Sequence, residues 1–549
     1  IPCIAQNLES IAGEKPFSFS GGISLNQILY ASSGIAARRD PYRYFASGNI
    51  NCSVYGWSIP LTFNHSNGNT SFTQPFNQFS CHPTWKWITL HAGYTSMSLS
   101  PYTVNGHLFS GGALELAPKG KWKFSALYGR FLKAIQPDTL RASQLQPAYQ
   151  RTGYAMKTAY GDDQNRIELI VFHAEDDRAS IGQPADSLHL TPQENLVVSV
   201  GGVKKLFAHL KLRTEFATSA ITKDTRTEKT SQRNLLAKSG LLFQPRLSSA
   251  YYRAIKASLD YQHGQWLIGV GYERVDPEYR TLGAYYFNND LENITLNSTA
   301  VIMKEKLNVA LSAGIQHDNV AKNRISTMRR MVSALNITAA PSPRLNVSAS
   351  WSSFQTYTNI RSPFAQVDEL TPYNNADTLN FAQISRNAAL SGNFVIGESA
   401  TRKQNVNVNF SWQQGADSQG QQYSGSRFLN SNIGYTRSLL ARNASIAFMF
   451  NTTIQESASM NSNIIAVTAS MTKAFLNRKL RTMLSTSMSD FYSNGARVNR
   501  MLNCRITGVV AIRNKHSLNL AGVLVRRFSS RSTTELTASI GYHYSFGAP

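Results

Sequence analysis

Residues 533–546 alternate between two kinds of side chain. Leu536, Ala538, Ile540, Tyr542, Tyr544 and Phe546 fall on one face of an extended strand, and Thr537, Ser539, Gly541, His543 and Ser545 fall on the other. A strand has period two, so this segment is apolar on one side and wet on the other. The rhythm recurs. Tyr44, Ala46, Gly48, Ile50, Cys52 and Val54 alternate with Phe45, Ser47, Asn49, Asn51 and Ser53, and Trp57, Ile59, Leu61 and Phe63 follow after a tight turn at Gly56. Leu345, Val347, Ala349 and Trp351 alternate with Asn346, Ser348, Ser350 and Ser352. Val406, Val408, Phe410 and Trp412 alternate with Asn405, Asn407, Asn409 and Ser411. A 3.6-residue helical period is absent from these stretches.

The strands come in pairs joined by very short turns such as 118–120, 161–163 and 263–264, with longer polar segments between pairs at about 67–82, 177–193, 220–249, 276–290 and 357–382. Short turns at one end and long loops at the other predict a closed transmembrane sheet, in which every backbone N–H and C=O finds a partner out of reach of water. The expected architecture is all-β, a single large antiparallel barrel of about 26 strands (24–26), running from 17–31 to 533–546. Its weakest member is 95–104, because Pro101 removes a ladder donor. Without that strand the turns at Gly56 and Gly120 would fall on opposite sides of the membrane. The predicted organisation is a signal-peptide remnant at 1–5, a short periplasmic tail at 6–15, the barrel at 16–546 and a tail at 547–549. A soluble sandwich or propeller is the alternative, but shorter strands and internal repeats would then be expected.

Composition agrees with a membrane barrel. The 549 residues carry only 16% charged side chains, below the roughly 25% of soluble domains, and include 24 Tyr and 27 Phe. Trp57, Trp85, Trp87, Trp122, Tyr128, Trp266, Tyr272, Trp351, Trp412, Tyr542 and Tyr544 lie near strand ends or turns, where aromatic girdles sit. The net charge of +23 is spread along the chain without a basic block, which argues against nucleic-acid binding and for a basic lumen or basic loops. Lys211, Arg213 and Glu215 share the wet face of one strand, and Lys121 and Lys123 open another. Lys or Arg pointing at lipid near mid-depth costs about 2–4 kcal/mol, so these residues, with Asn405, Asn407 and Asn409, are expected to line the lumen. A barrel this wide needs water, inward-folded loops, a partner segment or a ligand inside it.

The C-terminal strand resembles the insertion signal of Gram-negative outer-membrane proteins (polar, any, Gly, any, any, aromatic, any, aromatic), through Ser539, Gly541, Tyr544 and Phe546. The chain departs from many members in the three residues that follow the last aromatic. The resemblance implies an integral outer-membrane protein inserted by barrel-assembly machinery through its last strand. The long polar loops, the Asn, Ser and Tyr content and the Ala-Gln near the start resemble members from the Bacteroidota. Cys3 and Ala5 occupy the −3 and −1 positions of a signal-peptidase site.

Candidate chemistry is sparse. Four cysteines show no metal-site spacing. Cys52 reads as a small hydrophobe, and a Cys52–Cys81 disulfide is open in an oxidising compartment. His82 and His91 flank a Trp-rich strand but lack a third ligand at fixed spacing. His173, Glu175, Asp176 and Asp177 read as a solvated strand end. The expectation is therefore no catalytic residue, no metal and no cofactor. Arg38, Arg39 and Arg43 in the first loop are candidates for contact with lipopolysaccharide phosphates or an acidic partner. Three functions remain: a pore with an electropositive lumen for polar or anionic cargo, a docking component of a secretion or envelope-assembly complex with periplasmic or surface protein partners, and a barrel enzyme.

Overall fold

The computed structural model describes residues 17–67, 77–137, 147–182, 190–230, 242–318, 320–321, 329–356, 383–419, 422–457, 460–513, 515–529 and 531–547. The predicted signal-peptide remnant, the N-terminal tail and the end of the C-terminal tail lie outside these residues. The described chain forms one continuous antiparallel sheet in which each strand pairs with its sequence neighbour. The sheet closes when the first strand, Phe17–Ser33, pairs with the last, Thr533–Phe546, from Gly21↔Phe546 to Ser33↔Thr534. Two short segments, Gln78–Cys81 and Thr84–Trp85, occupy one position between Trp57–Ser66 and Ile88–Ser98, so the wall is a 26-strand barrel. No α-helix occurs among the described residues.

The period-two pattern sets the wall. Phe17, Phe19, Ile23, Leu25 and Leu29 of the first strand are exposed on the outer face, whereas Tyr30, of opposite parity, is buried inside. The same division holds for Ile167 and Leu169 against Ile170 and Phe172. Outward aromatics gather at the short-turn end. Trp57 stacks on Trp85 at 5.6 Å, Trp122 meets Tyr160 at 4.9 Å, and Phe19 stacks on Phe546 at 4.8 Å across the closing seam. The inner side of that seam is tied by Ser24 and His543 at 2.8 Å and by the Tyr30 hydroxyl donating to Glu535 at 2.9 Å. Gly541 faces inward there, where a Cβ would sit 2.4 Å from the Asn26 amide oxygen. Positive φ at Tyr55-Gly56 and at Asn494-Gly495 gives two-residue hairpins whose twist matches the flanking strands.

Three expectations need correction. The strands read as 84–93 and 95–104 are instead a broken strand at 78–85 followed by Ile88–Ser98, and part of the expected loop 67–82 is wall. Residues 99–104 form a connection, consistent with Pro101. The division between loop ends is also incomplete. From Arg402 onward the strands are joined by tight connections at both ends, so the long connections all fall earlier in the chain. The third concerns Lys121, which lies in the turn before Trp122 rather than on the wall, its carbonyl accepting from Gly161 N–H at 2.8 Å. Cys52, Cys81 and Cys504 are free thiols. Cys52 and Cys81 both point outward, opposite Ile59 and Leu61 of the strand between them.

Candidate functional site

The lumen is filled along one arc by the chain's own loops. Residues 99–104 fold inward as a tight loop, with the Leu99 and Ser100 N–H groups donating to Val104 O at 2.9 and 3.3 Å. The loop reaches two carboxylates on strands farther along the same arc of the wall. Ser100 Oγ donates to Glu215, and Tyr102 OH donates to Glu273 at 2.5 Å. Glu215 also accepts from Ser199 Oγ at 2.7 Å. Lys157 Nζ donates to Leu99 O at 3.2 Å.

Residues 276–290, between Trp266–Val275 and Leu291–Ile302, lie against this loop. Tyr279 OH donates to Tyr102 O at 2.9 Å, Thr281 Oγ1 donates to Thr103 O at 2.6 Å, and Asn105 N–H donates to Gly283 O at 3.0 Å. Buried Asn195 accepts from Leu282 N–H at 3.0 Å and donates from Nδ2 to Ser219 Oγ and Ala220 O. Burial and the neighbouring Glu273 push the Tyr102 hydroxyl far above the usual tyrosine range, and burial does the same for Tyr279. Both stay protonated and act as donors. Under the two loops lies a dry core on the inner wall, including Met97, Val104, Phe109, Phe131, Phe172 and Leu282. Burying such side chains stabilises the inward position by about 1.5–3 kcal/mol each.

The inward-pointing charged residues of this arc are mostly paired. Arg213 meets Asp260 at 2.8 Å, Lys157 meets Glu168 at 2.9 Å, and Arg166 meets Glu168 at 2.5 Å. Lys211 donates to Asp163 O at 2.7 Å, and Lys123 lies 3.9 Å from the Asp163 carboxylate. An open recess of about 310 Å³ adjoins Pro101 and is lined in part by Arg166, Glu168, Arg213, Glu215 and Lys256. Lys123, Lys211, Arg213 and Glu215 thus share the inner face of one arc, and Glu215 is the acceptor that holds the loop. Inward-folded loops were among the fillings that the barrel's width called for, but which segments fold inward was not read from sequence. The signal for them is apolar residues on both faces of the strands they cover, as in 167–172 and 196–200.

Among the described residues, none covers the opposite arc in this way. Asn405, Asn407 and Asn409 alternate with outward Val406, Val408 and Phe410 and line an inner wall of amides and hydroxyls. Asn430 donates to Thr453 Oγ1 at 2.8 Å, and Ser348 meets Ser391 at 2.5 Å. Lys403 on this arc is paired with Glu398 at 3.1 Å. Arg481 and Arg505, on inward positions of Leu480–Ser493 and Ala496–Ile512, carry no ion pair among the described residues.

The remaining candidates are scattered. Arg43 opens the strand Tyr42–Val54 rather than lying in the first loop, and its Nε and Nη2 both donate to one Asp40 carboxylate oxygen at 3.0 and 2.9 Å; Arg38 in the loop lies 3.8 Å from Glu535, and Arg39 is exposed. His173, Glu175 and Asp177 point outward while Asp176 points inward and is clamped by Arg151 at 2.8 and 3.0 Å, so this set makes no joint site. His82 and His91 do meet, with Nδ1 atoms 2.8 Å apart. No group of three or more metal-ligating side chains occurs among the described residues.

No family model matches the chain, and no curated protein matches it. Among solved structures, the P pilus usher (PapC) translocation pore aligns with 96% of this chain and 99% of its own at 10% identity and a TM-score of 0.40. The FrpB iron transporter from Neisseria meningitidis aligns with 98% of this chain and 84% of its own at 10% identity and a TM-score of 0.38. OprD of Pseudomonas aeruginosa aligns with 65% of this chain and 90% of its own at 8% identity and a TM-score of 0.30. At such scores the likeness is coarse.

Proposed function

We propose that the protein is an outer-membrane pore whose conducting path runs beside its own inward loops. The observation that carries this reading is the asymmetry of the lumen. One arc is packed dry under residues 99–104 and 276–290, and the other presents amides and hydroxyls that no described residue covers, with Arg481 and Arg505 outside any ion pair among the described residues. Such a wall hydrates readily, and unpaired guanidinium groups in a low-dielectric cylinder concentrate anions. The electropositive bias rests on Arg481 and Arg505. Lys123, Lys211 and Arg213 are engaged with acidic residues or a carbonyl and contribute less. Cargo on this reading is polar and small or extended, with a preference for negative charge. At the loop end Arg38, Arg39 and Arg43 meet lipopolysaccharide phosphates, and the last strand, with Gly541, Tyr544 and Phe546, is the segment recognised by barrel-assembly machinery.

The test is single-channel recording of the folded protein in planar bilayers. The reading expects anion-selective steps and a reversal potential that moves toward cation selectivity in R481E/R505E. Silent, correctly folded protein would overturn the pore and leave the docking role, in which the packed arc is part of a seal.

A further inference from the structure

The His82 and His91 imidazoles share one hydrogen bond, with Nδ1 atoms 2.8 Å apart and ring centroids 5.0 Å apart. The second nitrogen of His91, Nε2, lies 3.2 Å from the Glu115 carboxylate. The arrangement sits where the wall is interrupted. Residues 82–83 leave the ladder between Gln78–Cys81 and Thr84–Trp85, and Cys81 faces outward, so His82 turns to the inner side. Its backbone is held there, because His82 N–H donates to Pro60 O at 3.0 Å and Pro83 O accepts from Leu90 N–H at 2.8 Å. Next to it Trp57 stacks on Trp85.

With both rings neutral, the contacts fix the tautomers. A neutral imidazole carries one N–H. If His91 gives its proton at Nε2 to Glu115, its Nδ1 is a bare acceptor, and His82 must donate from Nδ1. One proton therefore lies between two nitrogen lone pairs, and a carboxylate fixes the tautomer of the accepting ring. A carboxylate on the far nitrogen is the outer-sphere partner that metal-bound histidines use.

We infer that His82 and His91 form a two-histidine site for an imidazole-seeking divalent ion such as Cu2+, Zn2+ or Ni2+, in which the metal replaces the shared proton. Metal–nitrogen bonds of about 2.0–2.1 Å at tetrahedral angles need the nitrogens about 3.3 Å apart, an opening of about half an ångström that side-chain torsions supply. The displaced proton leaves to bulk water, and water in the lumen fills the remaining coordination positions. Imidazole donors without thiolate favour these ions over Mg2+ or Ca2+.

The experiment titrates untagged, detergent-folded protein with Cu2+ and reads the electron paramagnetic resonance spectrum. Wild type is expected to take up one ion per barrel with superhyperfine splitting from two nitrogens. H82Q and H91Q each lose that signal, and E115Q weakens binding about tenfold. H209Q/H263Q, which alters an exposed histidine pair at the short-turn end, leaves it unchanged. Retained two-nitrogen binding in both H82Q and H91Q overturns the site, as does no binding to wild type in excess Cu2+. Heat-modifiable gel mobility confirms that each variant is a folded barrel, and a metal-induced rise in the wild-type unfolding temperature absent from H91Q gives a second readout.

Discussion

Removing the two hydroxyls that fasten residues 99–104 should free the loop without harming the barrel. The double variant S100A/Y102F deletes the donors to Glu215 and Glu273 and keeps the buried ring of Tyr102. Hydrogen bonds to charged groups contribute about 1.5–3 kcal/mol each, so the pair contributes about 3–6 kcal/mol to the inward position. Burial of Leu99, Tyr102 and Val104 adds about 5–9 kcal/mol. Ordering six loop residues costs about 6–12 kcal/mol in backbone freedom. Burial and entropy roughly cancel, which leaves the polar contacts to decide where the loop lies: these two, and the weaker ones to its backbone carbonyls from Lys157, Tyr279 and Thr281. At about 1.4 kcal/mol per decade, losing both shifts the ratio of inward to released loop by about 10²–10⁴. The wall keeps every strand pairing, so gel mobility and thermal unfolding should barely change. Planar-bilayer recordings should show larger steps and added current noise as the lumen widens. Identical conductance and noise in a folded S100A/Y102F barrel would refute the view that this loop narrows the path and that these two acids are its strongest anchors.

Three further outcomes are expected. F546A removes the stacking on Phe19 at 4.8 Å that closes the seam from outside. Beyond lost burial, the aromatic pair is worth about 0.5–1.5 kcal/mol, and the variant should unfold at lower urea in detergent. G111A places a Cβ 2.1 Å from Tyr128 O where two glycines face each other at Gly111↔Gly129, so it should cut the yield of folded barrel far more than G392A, where nothing lies within 4 Å. In the loop after Leu210–Thr222, hydrogen bonds and charge from Arg226 hold the Asp224 carboxyl below the usual carboxylate range. A lowered folded value stabilises the native loop above the ordinary carboxylate pKa and is lost as pH falls through the lowered one. Protease cleavage at 223–230 should therefore stay slow down to about pH 4 and quicken only below it, and D224N should remove that acid dependence.

The wall was legible because hydrocarbon tests every second residue. Ile23, Leu25 and Leu29, or Val406, Val408 and Phe410, must be apolar whatever their neighbours are, and the backbone between them must pair. The reading failed where the inner face is also dry. Around residues 84–104 the apolar positions change parity, from Leu90, Ala92 and Tyr94 facing outward to Met97 and Leu99 facing the buried core. A parity change reads as a turn between two strands, yet here a single strand passes from a wet to a dry inner surroundings, and only Pro101 marked the true end. The same physics hid the inward loops. Residues 276–290 open with polar and charged side chains like an exterior loop, but Leu282, Tyr285 and Phe287 within them need a surface to cover. Strands such as 167–172 and 196–200, apolar on both sides, supply that surface, and neither half of the match can be read alone. Contacts between Ser100 and Glu215, or Tyr102 and Glu273, join residues more than a hundred positions apart through the lumen, so no local spacing encodes them. Where one face of a strand is set by lipid, sequence is a sufficient guide. Where the other face is set by a distant loop, only a second apolar segment of matching size elsewhere in the chain gives it away.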